Sequence, residues 1–328
     1  MMYFAFAIVA LLCWSGSDLF SKKGTDEKDK NSHWKVAFAV GLIMGIHLLI
    51  TIIGGKIIDN AGGPDEVPKF VASLFYTDFA FMDFVRYLPV AFLYILAMVL
   101  GYIGLRYIEL SISSPICNCS GSLALLLCVI IFPLIGADAI SLDVWSIIGV
   151  VAITLGIIGM GIVDNKENDE LKELRRKDSN RKYTKSFLAF LLPIAYLIID
   201  ALGTVGDEVF FHYVDISDYA ANSSFELTFF FLAVFCFIWV KFVKKDKLFA
   251  KKGSAVYLGG LCETIGQVFY MAVMFADYEI GMPIISAYCV VSVLWSRIFL
   301  KEKLSFLHYA FIALTFAGII LLGIFSPV

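Results

Sequence analysis

Ten stretches of this chain are apolar for long enough to cross a bilayer, and nothing else limits the fold as much. They run near 3–21, 36–55, 87–106, 112–135, 144–163, 187–205, 225–243, 255–275, 282–300 and 306–325. A helix needs roughly 17–25 such residues to span the hydrocarbon core. In lipid every backbone N–H and C=O must be paired within the protein, so the choice is helices or a closed barrel. Barrel strands alternate apolar and polar residues; these runs are continuous. At 60% hydrophobic the chain lies above the ~45–50% of soluble domains. The expectation is an all-α, polytopic membrane protein with ten transmembrane helices. Residues 3–14 have the apolar character of a signal peptide, but no basic residue precedes them and Lys22 and Lys23 follow, so they read as the first span.

The chain also repeats itself. From 266 to 323 it reads as a hydrophobic helix, a turn at Gly281-Met282-Pro283, a helix to Leu300, a charged corner Lys301-Glu302-Lys303-Leu304-Ser305, and a last helix. A weaker copy runs from 101 to 161, with its turn at Ser113-Ser114-Pro115 and its corner at Ala137-Asp138-Ala139-Ile140-Ser141. The copies end in GIIGMG (156–161) and GIILLG (318–323). The first spans of the halves match too. Trp14 precedes Asp18 by four residues and Tyr196 precedes Asp200 by four, which puts each pair on one helix face. The reading is two five-helix repeats, 1–163 and 186–328, joined by a charged linker, 164–185. Because five is odd, the second repeat is inverted relative to the first.

Of 26 lysines and arginines, only Lys56, Lys69 and Arg86 fall on one side of the membrane, leaving 23 for the other. The positive-inside bias then puts the basic loops in the cytoplasm and both termini outside. The loop 56–86 holds Gly62-Gly63-Pro64 and several aromatics, and is expected to lie partly along the membrane interface.

An ionisable group inside lipid costs at least ~2.5–3.5 kcal/mol at mid-span on insertion scales, so each one needs a partner or a task. Glu263 and Gln267 share a face of the eighth span. Asp200, with Tyr196, is deep in the sixth. Asp18, with Trp14, is nearer a span end, where it either faces the centre or reaches the interface near Lys22. His47 is the one deep histidine, a proton carrier or a packing residue. Asn118 follows Pro115 and is placed to face the centre; Tyr102 and Tyr288 either line a cavity or pack. These residues are the candidates for binding a substrate or a proton. Arg106, Glu109, Asp277 and Glu279 read as span-end anchors, and Arg297 and Glu302 as fixing the corner.

Other chemistries find no motif. There is no GxxxxGK[ST] loop for a nucleotide, no GxSxG or HExxH signature, and no basic domain for nucleic acid. The seven cysteines form no CxxC pair and read as small apolar residues in the spans. No cofactor or metal is expected, and the protein is not expected to be an enzyme.

These features together resemble the drug/metabolite transporter superfamily, and within it the EamA-like family. The resemblance is carried by the two five-span halves, by Trp14-Ser15-Gly16 in the first span, and by the corner Phe299 to Ser305 with Glu302 at the acidic position. Asp138 holds that position in the first half. Lys301 stands where the family usually has Gly, and Cys289 and Leu125 where it often has Pro. The resemblance implies a secondary transporter that exports or exchanges a small metabolite or drug-like solute by alternating access, in the plasma membrane, with lipid and solute as partners and a homodimer left open. It also implies termini in the cytoplasm, opposite to the charge count. The alternative is a membrane scaffold or sensory protein on the same fold.

Overall fold

The structure, a computed structural model, describes residues 2–26, 28–136, 143–166, 187–214, 216–248 and 254–325. The corner expected around Asp138 and nearly all of the 164–185 linker lie outside the described residues, as do the side chains of Asp277 and Glu279.

Every regular element among the described residues is helical: α1 (Met2–Gly24), α2 (Ser32–Asn60), α3 (Lys69–Phe75), α4 (Phe81–Gly104), α5 (Leu110–Cys117), α6 (Ser120–Ile135), α7 (Val144–Lys166), α8 (Phe187–Tyr213), α9 (Asp218–Ile238), α10 (Ala255–Ser286), α11 (Tyr288–Trp295) and α12 (Phe306–Phe325). A π-helical turn extends α9 through Val243 and another extends α11 through Leu300. Large apolar side chains point outward, among them Leu49 (61% exposed), Leu134 (79%) and Phe306 (85%), while Ser15, Glu226 and Thr315 are completely buried. That inversion of the soluble pattern is what a lipid solvent selects. The chain is an integral, multi-pass membrane protein.

Seven helical stretches are long and apolar enough to span a bilayer by length and composition: 4–24, 32–60, 81–104, 110–135, 189–211, 218–243 and 255–273. Three shorter apolar helical stretches, 144–160, 288–300 and 306–321, fall in the remaining regions read from the sequence, so seven of the ten expected spans reach spanning length among the described residues. Trp14 meets both Gly266 and Tyr288, the latter at 5.7 Å between rings. A straight helix would put positions 22 residues apart roughly 33 Å from each other. So the chain from Gly266 to Tyr288 is not one straight helix, and Val273 and Ile285 join one cluster around Ala7 and Ala10. Gly281-Met282-Pro283 lies in that interval. The first-half turn expected at Ser113-Ser114-Pro115 is displaced. Those residues are buried inside α5, and the helical run is broken earlier, between Gly104 and Leu110.

Helix pairing is regular. α1 packs on α10, α4 on α8, α2 on α9 and α7 on α12, with α6 on α8 and α11 on α1. Glycines set the closest approaches. A Cβ added to Gly318 would stand 2.6 Å from the Gly149 carbonyl oxygen, and one on Gly156 would meet Thr315 at 2.0 Å. The GIIGMG and GIILLG ends are therefore the α7–α12 contact, small residues letting two helices close on each other. In the 56–86 loop, α3 brings Phe70 to 6.2 Å from Phe6, while Phe75 and Phe81 stay exposed.

The 301–305 corner is non-helical, as read, with Glu302 buried. Lys301 sits at φ 57°, ψ 31°, the left-handed region that an L side chain enters at a cost of about 1–2 kcal/mol. This is why a glycine belongs there and why its replacement is a departure. Lys301→Gly should therefore raise stability by about 0.5–1 kcal/mol, net of the extra freedom glycine has when unfolded. The check is the melting temperature of purified protein in detergent; Lys301→Val should lower it, and a Gly variant no more stable than the Val variant refutes the account.

Candidate functional site

A cavity of about 670 Å³ runs through the middle of the helices, lined by α1, α4, α5, α6, α8, α9, α10 and the start of α11. Seven of the eight residues singled out from the sequence meet there: Trp14, Asp18, Asn118, Tyr196, Asp200, Glu263 and Gln267. Tyr102 and Tyr288 line it as well. His47 does not.

Each carboxyl is positioned by hydroxyls on neighbouring helices. Asp18 accepts from Ser114 at 2.6 Å and Ser292 at 2.7 Å, so it faces the centre and not the interface. Ser120 lies within hydrogen-bonding reach of Asp200, and Ser17 of Glu263. Asn118 donates to the Cys289 sulfur at 2.9 Å, and Gln267 to Asn222 at 3.2 Å. The two aromatics are placed alike. The Trp14 ring lies against Gly266 and the Tyr196 ring against Gly101, each glycine making room on the helix its span packs on. Trp14 stands 5.1 Å from Tyr270 and 5.7 Å from Tyr288, between rings.

The sequence reading missed Asp207, Glu208, Asp218 and Asn222, all on the wall. Asp207 accepts from Tyr87 at 2.6 Å and Tyr94 at 2.5 Å. The sixth span had been ended at 205 and the seventh begun at 225, whereas α8 continues through Tyr213 and α9 starts at Asp218. Extending helical periodicity from Asp200 would have found Asp207, two turns on and on the same side.

The two ends of the cavity differ. At one end Glu208, Phe211 and Asp218 are exposed. At the other, Ser21, Leu105 and Leu110 are buried. The closed end is tied by side chains that bond the backbone of the 105–111 segment, one from the first half and one from the second. Lys22 donates to the carbonyls of Leu105 and Ile108. Glu302 accepts from the N–H groups of Leu110 (3.1 Å) and Ser111 (3.0 Å) and from the Ser111 hydroxyl (2.8 Å), capping α5. Lys22 is thus an internal strut, not an interface charge. Beyond it Lys35 bridges Asp29 and Asp246, each at 2.8 Å, and the Lys35 ammonium holds the Asp246 carboxyl down to about 2. That carboxyl stays charged as pH falls until it passes through this value.

Residues 187–324 match the family model described as the EamA-like transporter family. The second half of the chain is EamA-like. The matched stretch holds α8 to α12 almost whole and carries Tyr196, Asp200, Glu263 and Gln267 on the cavity wall. No curated protein matches the chain. A solved structure, described as "Crystal structure of protein", aligns with 98% of this chain and 96% of its own, with a TM-score of 0.53 at 15% identity. That is a likeness of fold.

His47 belongs to a different arrangement. Its Nδ1 lies 2.8 Å from Glu226 Oε1, and Glu226, fully buried on α9, also accepts from Asn222 at 3.3 Å. The pair joins α2 to α9 behind the wall. Removing one partner of a buried pair leaves the other uncompensated, at about 3–5 kcal/mol. His47→Ala should lose stability on that scale, and His47→Leu combined with Glu226→Leu should regain most of it. Chemical or thermal denaturation in detergent measures both; a double variant as unstable as the single one means the histidine is not held for pairing.

Proposed function

We propose that the protein is a secondary transporter that moves a small solute across the plasma membrane by alternating access, with the 670 Å³ cavity as the solute site. The observation that carries this is the cavity's form: central, walled by acidic and aromatic side chains, open at the Asp218 end and tied shut at the Lys22 end. An EamA-like second half points to the same class of protein. The volume falls within the ~300–1,000 Å³ of small-molecule sites.

The architecture proposed is two inverted five-helix repeats, 1–163 and 186–328, about the linker 164–185. Helix pairing supports it. Exchanging the halves turns α1 on α10 into α8 on α4, and α1 on α11 into α8 on α6, while α2–α9 and α7–α12 map onto themselves. Rocking one set of helices against the other would then open the Lys22 end and close the Asp218 end. The charge bias assigns the Lys22 end to the cytoplasm, and on that orientation the form described is open outward. Export or exchange is the direction that the family resemblance favours.

Labelling in vesicles tests the mechanism. A cysteine at Leu110, in a variant lacking the native seven, should react with a membrane-impermeant maleimide from the Lys22 side only while solute turns over. A cysteine at Glu208 should react from the opposite side and be protected as turnover proceeds. Steady flux with Leu110→Cys permanently unreactive would rule out alternating access through this cavity.

A further inference from the structure

The charge and chemistry of the cavity wall identify the kind of solute. Six carboxyl groups line it: Asp18, Asp200, Asp207, Glu208, Asp218 and Glu263. Among the described residues not one lysine, arginine or histidine does. Lys22, the nearest basic residue along α1, spends its ammonium on the Leu105 and Ile108 carbonyls. Serine and tyrosine hydroxyls satisfy the carboxylates in part, but hydroxyls bring no positive charge.

Two further observations point to a ligand. Tyr102 lines the cavity beside Glu263 and Asp18, and its hydroxyl has no hydrogen-bond partner, on a side chain only 6% exposed. Buried polar atoms without partners are rare in native proteins, and an N–H donor would satisfy this one. Trp14 Nε1 is also unpartnered and, being a donor, suits a neutral oxygen on the same molecule. The rings of Trp14, Tyr196, Tyr270 and Tyr288 present the π faces that attract a weakly hydrated cation within about 6 Å.

We infer that the cavity binds an organic ammonium ion, its N–H groups directed at Asp18, Glu263 and the Tyr102 hydroxyl and its apolar part held against the aromatic wall. An anionic solute would meet six acidic groups and no counter-charge. A bare metal ion would leave the aromatic wall and the apolar volume unused. Asp207, Glu208 and Asp218, at the open end, draw cations inward, since a cleft lined by one sign of charge concentrates the opposite ion. This inference rests on the cavity being the solute site of the proposed transporter.

The test is equilibrium binding of 3-phenylpropylammonium, 3-phenylpropionamide and 3-phenylpropionate to the purified full chain. The three differ mainly in the charge of the head group. The ammonium ion should bind at least tenfold more tightly than the other two. Glu263→Gln and Asp18→Asn should each weaken it about tenfold, and Asp246→Asn, whose carboxyl lies outside the cavity, should not. If the Glu263 and Asp18 variants do not fold, Glu208→Gln at the exposed mouth should still weaken it about threefold. Amide or propionate binding as tightly as the ammonium ion, and lost on obstructing the cavity with Gly121→Trp, overturns the cationic assignment and leaves the transporter reading standing. Absence of binding by all three at 50 mM, in protein shown to be folded, overturns both.

Discussion

The carboxyl groups at the centre of a lipid-facing molecule are what the rest of the structure depends on. Hydrocarbon outside offers a charge nothing, so each acidic group must be held among partners and kept in reach of the cavity. The helices accomplish this by supplying hydroxyls from across the bundle. Asp18 on α1 is held by Ser114 on α5 and Ser292 on α11. Asp207 on α8 is held by Tyr87 and Tyr94 on α4. These bonds join elements far apart in sequence, so the site and the helix packing are one construction.

Much of this was readable from the residues. Continuous apolar runs gave the helices, and the paired spacings Trp14…Asp18 and Tyr196…Asp200 led to the wall of the cavity, because a helical repeat fixes which residues share a face. The glycines that open the two sequence copies, Gly101 and Gly266, turned out to be where Tyr196 and Trp14 rest. Other features were hidden for physical reasons. Hydropathy ends a span where polar residues begin, but α8 and α9 carry their acidic turns inside the helix, turned inward, so Asp207, Glu208 and Glu226 fell to the loops or went unnoticed. The first-half turn was misplaced because Pro115 was read as a break. It sits in the second turn of short α5, where Ser111 is its i−4 residue and no long helix is interrupted. The role of Lys22 depended on tertiary contact with Leu105 and Ile108, which no local pattern encodes.

The closed end shows how a charged corner works without being a site. Glu302 is buried although it stands in a loop, because the first N–H groups of α5 need an acceptor and no residue of their own segment supplies one. The acidic position of the corner is thus an anchor between α5 and the last helices. Lys301 before it adopts a backbone conformation suited to glycine, so the turn's geometry is imposed by the Glu302 contact and not by local preference. That is the signature of a contact strong enough to dictate the chain path around it.

Helix crossings in the first and second parts of the chain are alike in packing and differ in chemistry. At the point where Trp14 crosses α10, Glu263 stands three residues before Gly266; at the matching crossing of Tyr196 and α4, Met98 stands three residues before Gly101. The matching contact is therefore Tyr196 donating to the Met98 sulfur at 3.6 Å in one half and Ser17 reaching Glu263 in the other. The framework repeats because the same helix crossings bury both halves. The aromatic–acid pairs Trp14–Asp18 and Tyr196–Asp200 recur on the cavity wall, whereas Glu263 has Met98 as its counterpart. Asp18 and Asp200 accompany the aromatic at each crossing, so the acid Glu263 opposite the thioether Met98 is where the two crossings part on the cavity wall.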